Sequence, residues 1–165
     1  MNLIFITGGA RSGKSRFALE IVQRFAQPVT FLATAQAFDP EMTERIRLHR
    51  LERLTLGFIT IEEPRNLKKV LLETEGVVLL DCLSLWVSNL LLSEQTQETV
   101  LAELQGLLEL EKTLVIVSNE VGSGVVPEYP LGRTYRDWLG RANQMTAQAA
   151  DEAYLMVAGL PLKLK

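Results

Sequence analysis

At 165 residues, 47% hydrophobic and 22% charged, with only 11 glycines and 6 prolines, the chain is sized and composed for one globular domain, which excludes a low-complexity chain and disorder as the dominant state. Seventeen basic against twenty acidic side chains leave a net charge of −3, so no general attraction to nucleic acid or anionic lipid is expected and any affinity for phosphate must be local. The single cysteine, Cys82, excludes an intramolecular disulfide and a cysteine-caged zinc site.

Apolar runs alternate with amphipathic stretches throughout, the pattern of strands joined by crossover helices in an α/β fold with a mostly parallel sheet and helices on both faces. Leu3 to Thr7 reads as a buried strand, too short to cross a membrane and without the basic start of a signal peptide, so a cytoplasmic protein without membrane insertion is expected. Phe17, Ala18, Ile21, Val22 and Phe25 then recur at helical spacing. Val29 to Ala33 predicts the next strand. Asp39-Pro40-Glu41 supplies a cap, a first-turn proline and a first-turn acid for a helix reaching about Arg53. Phe58 to Ile61 predicts a third strand, Pro64 the start of a helix bearing Leu67, Val70 and Leu71, and Val77 to Leu80 a strand ending in Asp81. Two helices, Leu83–Leu92 and Glu98–Glu111, lead to a strand at Leu114–Val117. An irregular loop holding Gly122, Gly124, Pro127 and Pro130 precedes a helix from Leu131 to Ala150 and a strand at Ala153–Val157. A break at Gly159-Leu160-Pro161 then predicts a short antiparallel edge strand over Leu162 to Lys165, making about seven strands in all.

The chemistry concentrates in a few segments. Gly8-Gly9-Ala10-Arg11-Ser12-Gly13-Lys14-Ser15 fits G-x-x-x-x-G-K-[ST] between a strand and a helix. Its glycines let backbone N–H groups turn toward phosphate oxygens, Lys14 reaches the outer phosphates, and Ser15 offers a hydroxyl to Mg²⁺. Asp81, at the end of an apolar strand, suits the acid that holds Mg²⁺ through water, although it could instead cap the following helix; a shared sheet edge with the loop favours the metal role. The only histidine, His49, has Arg45 and Arg53 at helical spacing and Arg50 beside it. It is either a solvated ring on a basic helix face or a neutral nucleophile whose arginine neighbours disfavour imidazolium and clamp a polyphosphate. Cys82, inside an apolar run, reads as a small buried hydrophobe in a reducing compartment.

These segments, with Ala33-Thr34-Ala35-Gln36, the run from Asp81 to Leu91, Ser118-Asn119-Glu120-Val121-Gly122, Gly124 to Glu128, Tyr135-Arg136-Asp137, Gly140 to Gln144 and Ala149 to Glu152, resemble the cobinamide kinase/cobinamide-phosphate guanylyltransferase family of cobalamin biosynthesis. The resemblance spans essentially the whole chain, 1–165, as one P-loop domain. It implies a bifunctional enzyme that phosphorylates the aminopropanol hydroxyl of adenosylcobinamide with ATP or GTP and then transfers GMP from GTP to that phosphate. The implied products are adenosylcobinamide-GDP and pyrophosphate, with His49 transiently guanylylated and Mg²⁺ accompanying the nucleotide. It further implies that Thr34, Ala35, Gln36, Arg50, Leu51, Glu52, Arg53, Glu62 and Asp81 join Gly8 to Ser15 in binding nucleotide, and that the enzyme is a homotrimer with a corrinoid substrate. After the histidine this chain has Arg53-Leu54 and Leu56-Gly57-Phe58 where many relatives carry Arg-Pro and a tryptophan. The alternative is a monofunctional P-loop kinase for a small molecule, using Lys14, Ser15 and Asp81 and leaving His49 idle. A guanine-nucleotide switch is disfavoured because Asn119-Glu120-Val121-Gly122 is no Asn-Lys-x-Asp motif.

Overall fold

The computed structural model describes residues 2–26, 28–36, 43, 44, 46, 47, 51 and 56–165. Most of the helix expected over Asp39–Arg53, His49 included, lies outside them. Seven strands are found among the described residues: β1 (Asn2–Gly8), β2 (Val29–Ala33), β3 (Ile59–Glu62), β4 (Val77–Asp81), β5 (Thr113–Asn119), β6 (Glu152–Val157) and β7 (Leu160–Lys163). They form one sheet in the order β3-β2-β4-β5-β1-β6-β7, parallel except for the β6–β7 pair. The described helices are α1 (Lys14–Val22), α2 (Leu67–Glu73), α3 (Leu83–Leu91), α4 (Gln97–Leu108) and α5 (Pro130–Ala149).

The period of two along each strand divides the core. Leu3, Phe5, Val78, Leu80, Leu114 and Ile116 face α2 to α5 and pack on Leu67, Leu83, Trp86, Leu104 and Leu139. Their neighbours Ile4, Ile6, Val77, Leu79, Val115 and Val117 face the other way, onto Ala18, Ile21 and Val22 of α1. Apolar side chains on both faces explain why β1, β4 and β5 are continuous hydrophobic runs, as central parallel strands must be. Trp86 is fully buried and its indole N–H donates to the Arg65 carbonyl (2.8 Å), so α3 is anchored both by area and by a satisfied polar group.

Two element boundaries differ from expectation. The helix expected to open at Pro64 begins at Leu67, because the Glu63 carboxylate accepts the N–H groups of Arg65 and Asn66 (both 2.9 Å) and closes a turn ahead of it. The last strand begins at Leu160 rather than Leu162, since the hairpin turns over the two residues Ala158 and Gly159, with φ of 51° and 83°. Positive φ at both positions is the turn whose twist matches that of the flanking strands. Pro161 is accommodated because β7 is an edge strand.

Candidate active site

All strands but β7 run the same way, so β1, β2, β4 and β5 present their C-terminal ends on one edge, and the loop between β1 and α1 lies there. The loop has no slack. A Cβ on Gly8 (φ 151°) would stand 2.6 Å from the Met156 carbonyl oxygen, and Gly13 enters the helix at φ 96°, as its N-cap, without a capping side chain. The turn of the β6–β7 hairpin supports the loop from outside, the Gly159 N–H donating to the Ser12 carbonyl (3.0 Å). Arg11, at φ 55°, holds a left-handed conformation that costs a non-glycine residue about 1 kcal/mol or more. An uncapped helix start preceded by such a turn is an anion-binding arrangement.

Lys14 is buried, and its ammonium donates to the Gly9 carbonyl (2.6 Å) across the mouth of the loop. Burial lowers its pKa, while Cys82 and Asp81 act in the opposite direction. An ammonium that has lost much of its water and keeps one carbonyl and one distant hydroxyl as partners gains when anionic oxygens arrive. The next residue, Ser15, donates its hydroxyl to Asp81 Oδ2 (3.2 Å), joining the first turn of α1 to the end of β4. Asp81 does not cap α3; that position belongs to Cys82. The paired hydroxyl and carboxylate are hard oxygen donors, a set that suits Mg²⁺, which takes one or two protein oxygens and completes its shell with water and phosphate. Among the described residues no group of three or more His, Cys, Asp or Glu forms a metal cage.

These residues line a cleft of about 780 Å³ that includes Ala10 to Arg16, Phe31, Ala33, Ala35, Ile46, Glu62, Asp81, Cys82, Leu85, Val117 and Asn119. Arg11, Lys14 and Arg16 against Glu62 and Asp81 make its wall locally positive in a chain of net charge −3. The expected nucleotide residues are distributed unevenly around it. Gly8 and Gly9 do not line it; the Gly9 carbonyl instead accepts the Lys14 ammonium. Thr34 is fully buried, its hydroxyl donating to the Cys82 carbonyl (2.8 Å) and accepting the Cys82 N–H (2.9 Å), so it ties β2 to β4 and does not line the cleft. Ala35 does line it, Gln36 does not, and Leu51 is 48% exposed and away from its wall. His49, Arg50, Glu52 and Arg53 lie outside the described residues.

Polar side chains of the apolar run after Asp81 connect the strand ends. Asn89 donates to the carbonyls of Thr34 (2.9 Å) and Pro64 (3.0 Å). Ser84 accepts from Asn119 Nδ2 (3.1 Å) and stands 2.9 Å from Cys82 Sγ, and its carbonyl accepts the Tyr135 hydroxyl. Asn143, on α5, accepts from Ser118 Oγ (2.7 Å) and donates to the Asn119 carbonyl (3.0 Å). The sequence motifs assign none of Ser84, Asn89, Asn119 and Asn143 a role; the signal the sequence offers is small polar residues within otherwise apolar runs. A second cavity, about 590 Å³, lies between α2 and α4 and contains none of the loop residues.

The family model for cobinamide kinase / cobinamide phosphate guanyltransferase, CobU, matches residues 4–164. The chain is 42% identical over 167 aligned positions to the bifunctional adenosylcobalamin biosynthesis protein CobP of Pseudomonas aeruginosa, covering 97% of this chain and 95% of that one. It is 37% identical to the bifunctional adenosylcobalamin biosynthesis protein CobU of Escherichia coli and 38% to that of Salmonella typhimurium, each over 99% of both chains. With a triphosphate-type loop, a strand-terminal acid joined to it and similarity over nearly the full length, the chain belongs to the cobinamide kinase / cobinamide phosphate guanyltransferase family.

Proposed function

We propose that this protein is a bifunctional kinase and guanylyltransferase of adenosylcobalamin biosynthesis, with 1–165 acting as one domain. In the first reaction the aminopropanol hydroxyl of adenosylcobinamide attacks the γ-phosphorus of ATP or GTP. The bond from that phosphorus to the β,γ-bridging oxygen breaks, the nucleoside diphosphate leaves, and the hydroxyl proton is released. In the second, an imidazole nitrogen of His49 attacks the α-phosphorus of GTP and pyrophosphate departs. A phosphate oxygen of adenosylcobinamide phosphate then attacks the same phosphorus, releasing the imidazole and giving adenosylcobinamide-GDP.

The observation that carries this reading is the convergence of Lys14, Ser15 and Asp81 on one cleft in a chain of this family. Lys14 neutralises charge on the outer phosphates, the N–H groups of Gly13 to Ser15 hold their oxygens, and Arg11 and Arg16 extend the cationic wall. Mg²⁺, held by Ser15 and Asp81, would offset phosphate charge as it shifts to the leaving group. Arg50, Glu52, Arg53 and Glu62 belong to the guanine-nucleotide side of the reading, together with Thr34 to Gln36 and Leu51. The homotrimeric assembly and cytoplasmic location implied by the family resemblance complete it, with corrinoid and nucleotide as the small-molecule partners.

The decisive experiment uses GTP labelled at the α-phosphate. The wild type acquires acid-labile label and forms adenosylcobinamide-GDP. His49→Ala is expected to lose both and still phosphorylate adenosylcobinamide. Guanylyl transfer at the wild-type rate in that variant would remove His49 from the mechanism, and absence of label on the wild type would favour the monofunctional kinase.

A further inference from the structure

Strand β5 lies between β4 and β1, so its C-terminal residue, Asn119, stands between the acid Asp81 and the phosphate loop. Register makes this concrete. Asn119 pairs with Gly8, the first residue of the loop, and the Glu120 N–H donates to the Gly8 carbonyl (3.0 Å), whereas Asp81 pairs with Val117, two residues further back. Asn119 therefore projects about 6–7 Å beyond the level of the acid, on the sheet edge where the loop lies. Its side chain lines the same cleft as Lys14 and Ser15.

One hydrogen bond orients this side chain, and a second fixes the strand end that carries it. Nδ2 donates to Ser84 Oγ, a fully buried hydroxyl, and the backbone carbonyl accepts from Asn143, which is itself held by Ser118. A primary amide has two N–H donors and a carbonyl acceptor. Here one donor is used, and the second donor and Oδ1 have no hydrogen-bond partner among the described residues. The adjacent Glu120 differs: its carboxylate accepts the N–H groups of Gly122 (2.6 Å) and Ser123 (3.2 Å) within its own loop and does not line the cleft.

We propose that Asn119 hydrogen-bonds the terminal phosphate of the bound nucleoside triphosphate through its second amide proton, with Ser84 and Asn143 as positioning residues, so that the cleft distinguishes triphosphate from diphosphate. This rests on the reading of the cleft as a nucleoside-triphosphate site. It adds a residue after β5 that reports whether the γ-phosphate is present, a role that Lys14 and Ser15, which also serve the inner phosphates, do not perform alone.

The test measures dissociation constants by titration calorimetry, with Mg²⁺, for a non-hydrolysable GTP analogue and for GDP. Asn119→Ala is expected to weaken the triphosphate analogue by about tenfold, the lower bound for a hydrogen bond to a charged group, and to leave GDP within about twofold. Asn119→Asp keeps the side-chain shape and places a negative charge against phosphate, so it is expected to lose more of the triphosphate affinity than Asn119→Ala. Ser84→Ala frees the amide to rotate and is expected to weaken the triphosphate by about threefold, again without affecting GDP. Equal losses for both nucleotides in Asn119→Ala, or wild-type triphosphate affinity in Asn119→Asp, would overturn the assignment. Should Asn119→Ala melt below the assay temperature, the isosteric Asp variant decides alone. Failure of the wild type to bind either nucleotide would overturn the reading of the cleft itself and the assignment with it, and is recognisable because it precedes any comparison of variants.

Discussion

Lys14 illustrates how a site residue is made costly before substrate arrives. Burial lowers its pKa from the ordinary lysine value of 10.5, with Cys82 and Asp81 opposing, because an ammonium half-removed from water is poorly solvated. Bound phosphates favour the charged form, so the pKa in the complex lies above that of the free protein. The sign follows: affinity is full below the free-protein pKa and declines as pH rises through it, beginning below 10.5, and binding in that window takes up a proton. Nucleotide titrations at alkaline pH in two buffers of different ionisation enthalpy should show this uptake growing with pH; constant zero uptake would contradict it. Cys82 moves the other way, to about 11, pushed up first by burial and then by the Asp81 charge. It is therefore a thiol at neutral pH, in keeping with the sequence reading of a small buried hydrophobe rather than a nucleophile. Asp81 was legible as one of two alternatives, metal acid or helix cap. Its 3.2 Å partnership with Ser15 joins it to the phosphate loop, and Cys82 holds the N-cap position of α3, observations that support the metal role proposed above.

Among the elements, the β6–β7 hairpin connects backbone conformation to the phosphate loop. Ala158 adopts φ 51° at the first turn position, where an asparagine would be at less cost, and Gly159 donates to Ser12. Ala158→Asn is expected to stabilise the protein by about 0.5–1 kcal/mol, raising Tm by about 1–4 °C, with nucleotide affinity unchanged because the Gly159 to Ser12 hydrogen bond is kept. A thermal melt checks it, and a lower Tm would show that the alanine conformation carries no strain. The periodicity of the segment predicts an edge strand, but the break signalled by Pro161 places its start two residues late. Proline is excluded from strands only where its missing N–H is needed, and that depends on which side of β7 is paired. Helix α3 makes the complementary point. Its apolar residues announced a buried helix, while Ser84 and Asn89 acquired meaning only when Thr34, Pro64 and Asn119 were found within hydrogen-bond distance.

At the scale of the molecule, the nucleotide binds folded chain and not unfolded chain, so it must shift the folding equilibrium. At a Mg²⁺–GTP concentration of one hundred times Kd the stabilisation is about 2.7 kcal/mol, and Tm is expected to rise by about 5–10 °C in a chain of this size. Lys14→Ala should abolish the rise; an undiminished shift in that variant would place the nucleotide elsewhere. The alternation of apolar runs and amphipathic stretches by itself determined the α/β class, the parallel sheet and the location of the phosphate loop, because period, length and glycine spacing are local properties of the chain. Which strands are neighbours was not determined locally. The order β3-β2-β4-β5-β1-β6-β7 is set by how the helices cover both faces, and it alone brings Asp81 to Ser15 and puts Asn119 between the loop and the acid, across sequence separations that no local pattern encodes. The sequence thus specified the chemical groups and the edge on which they act. Tertiary structure decided their pairings, since a hydrogen bond depends on distance and angle between atoms that only packing brings together.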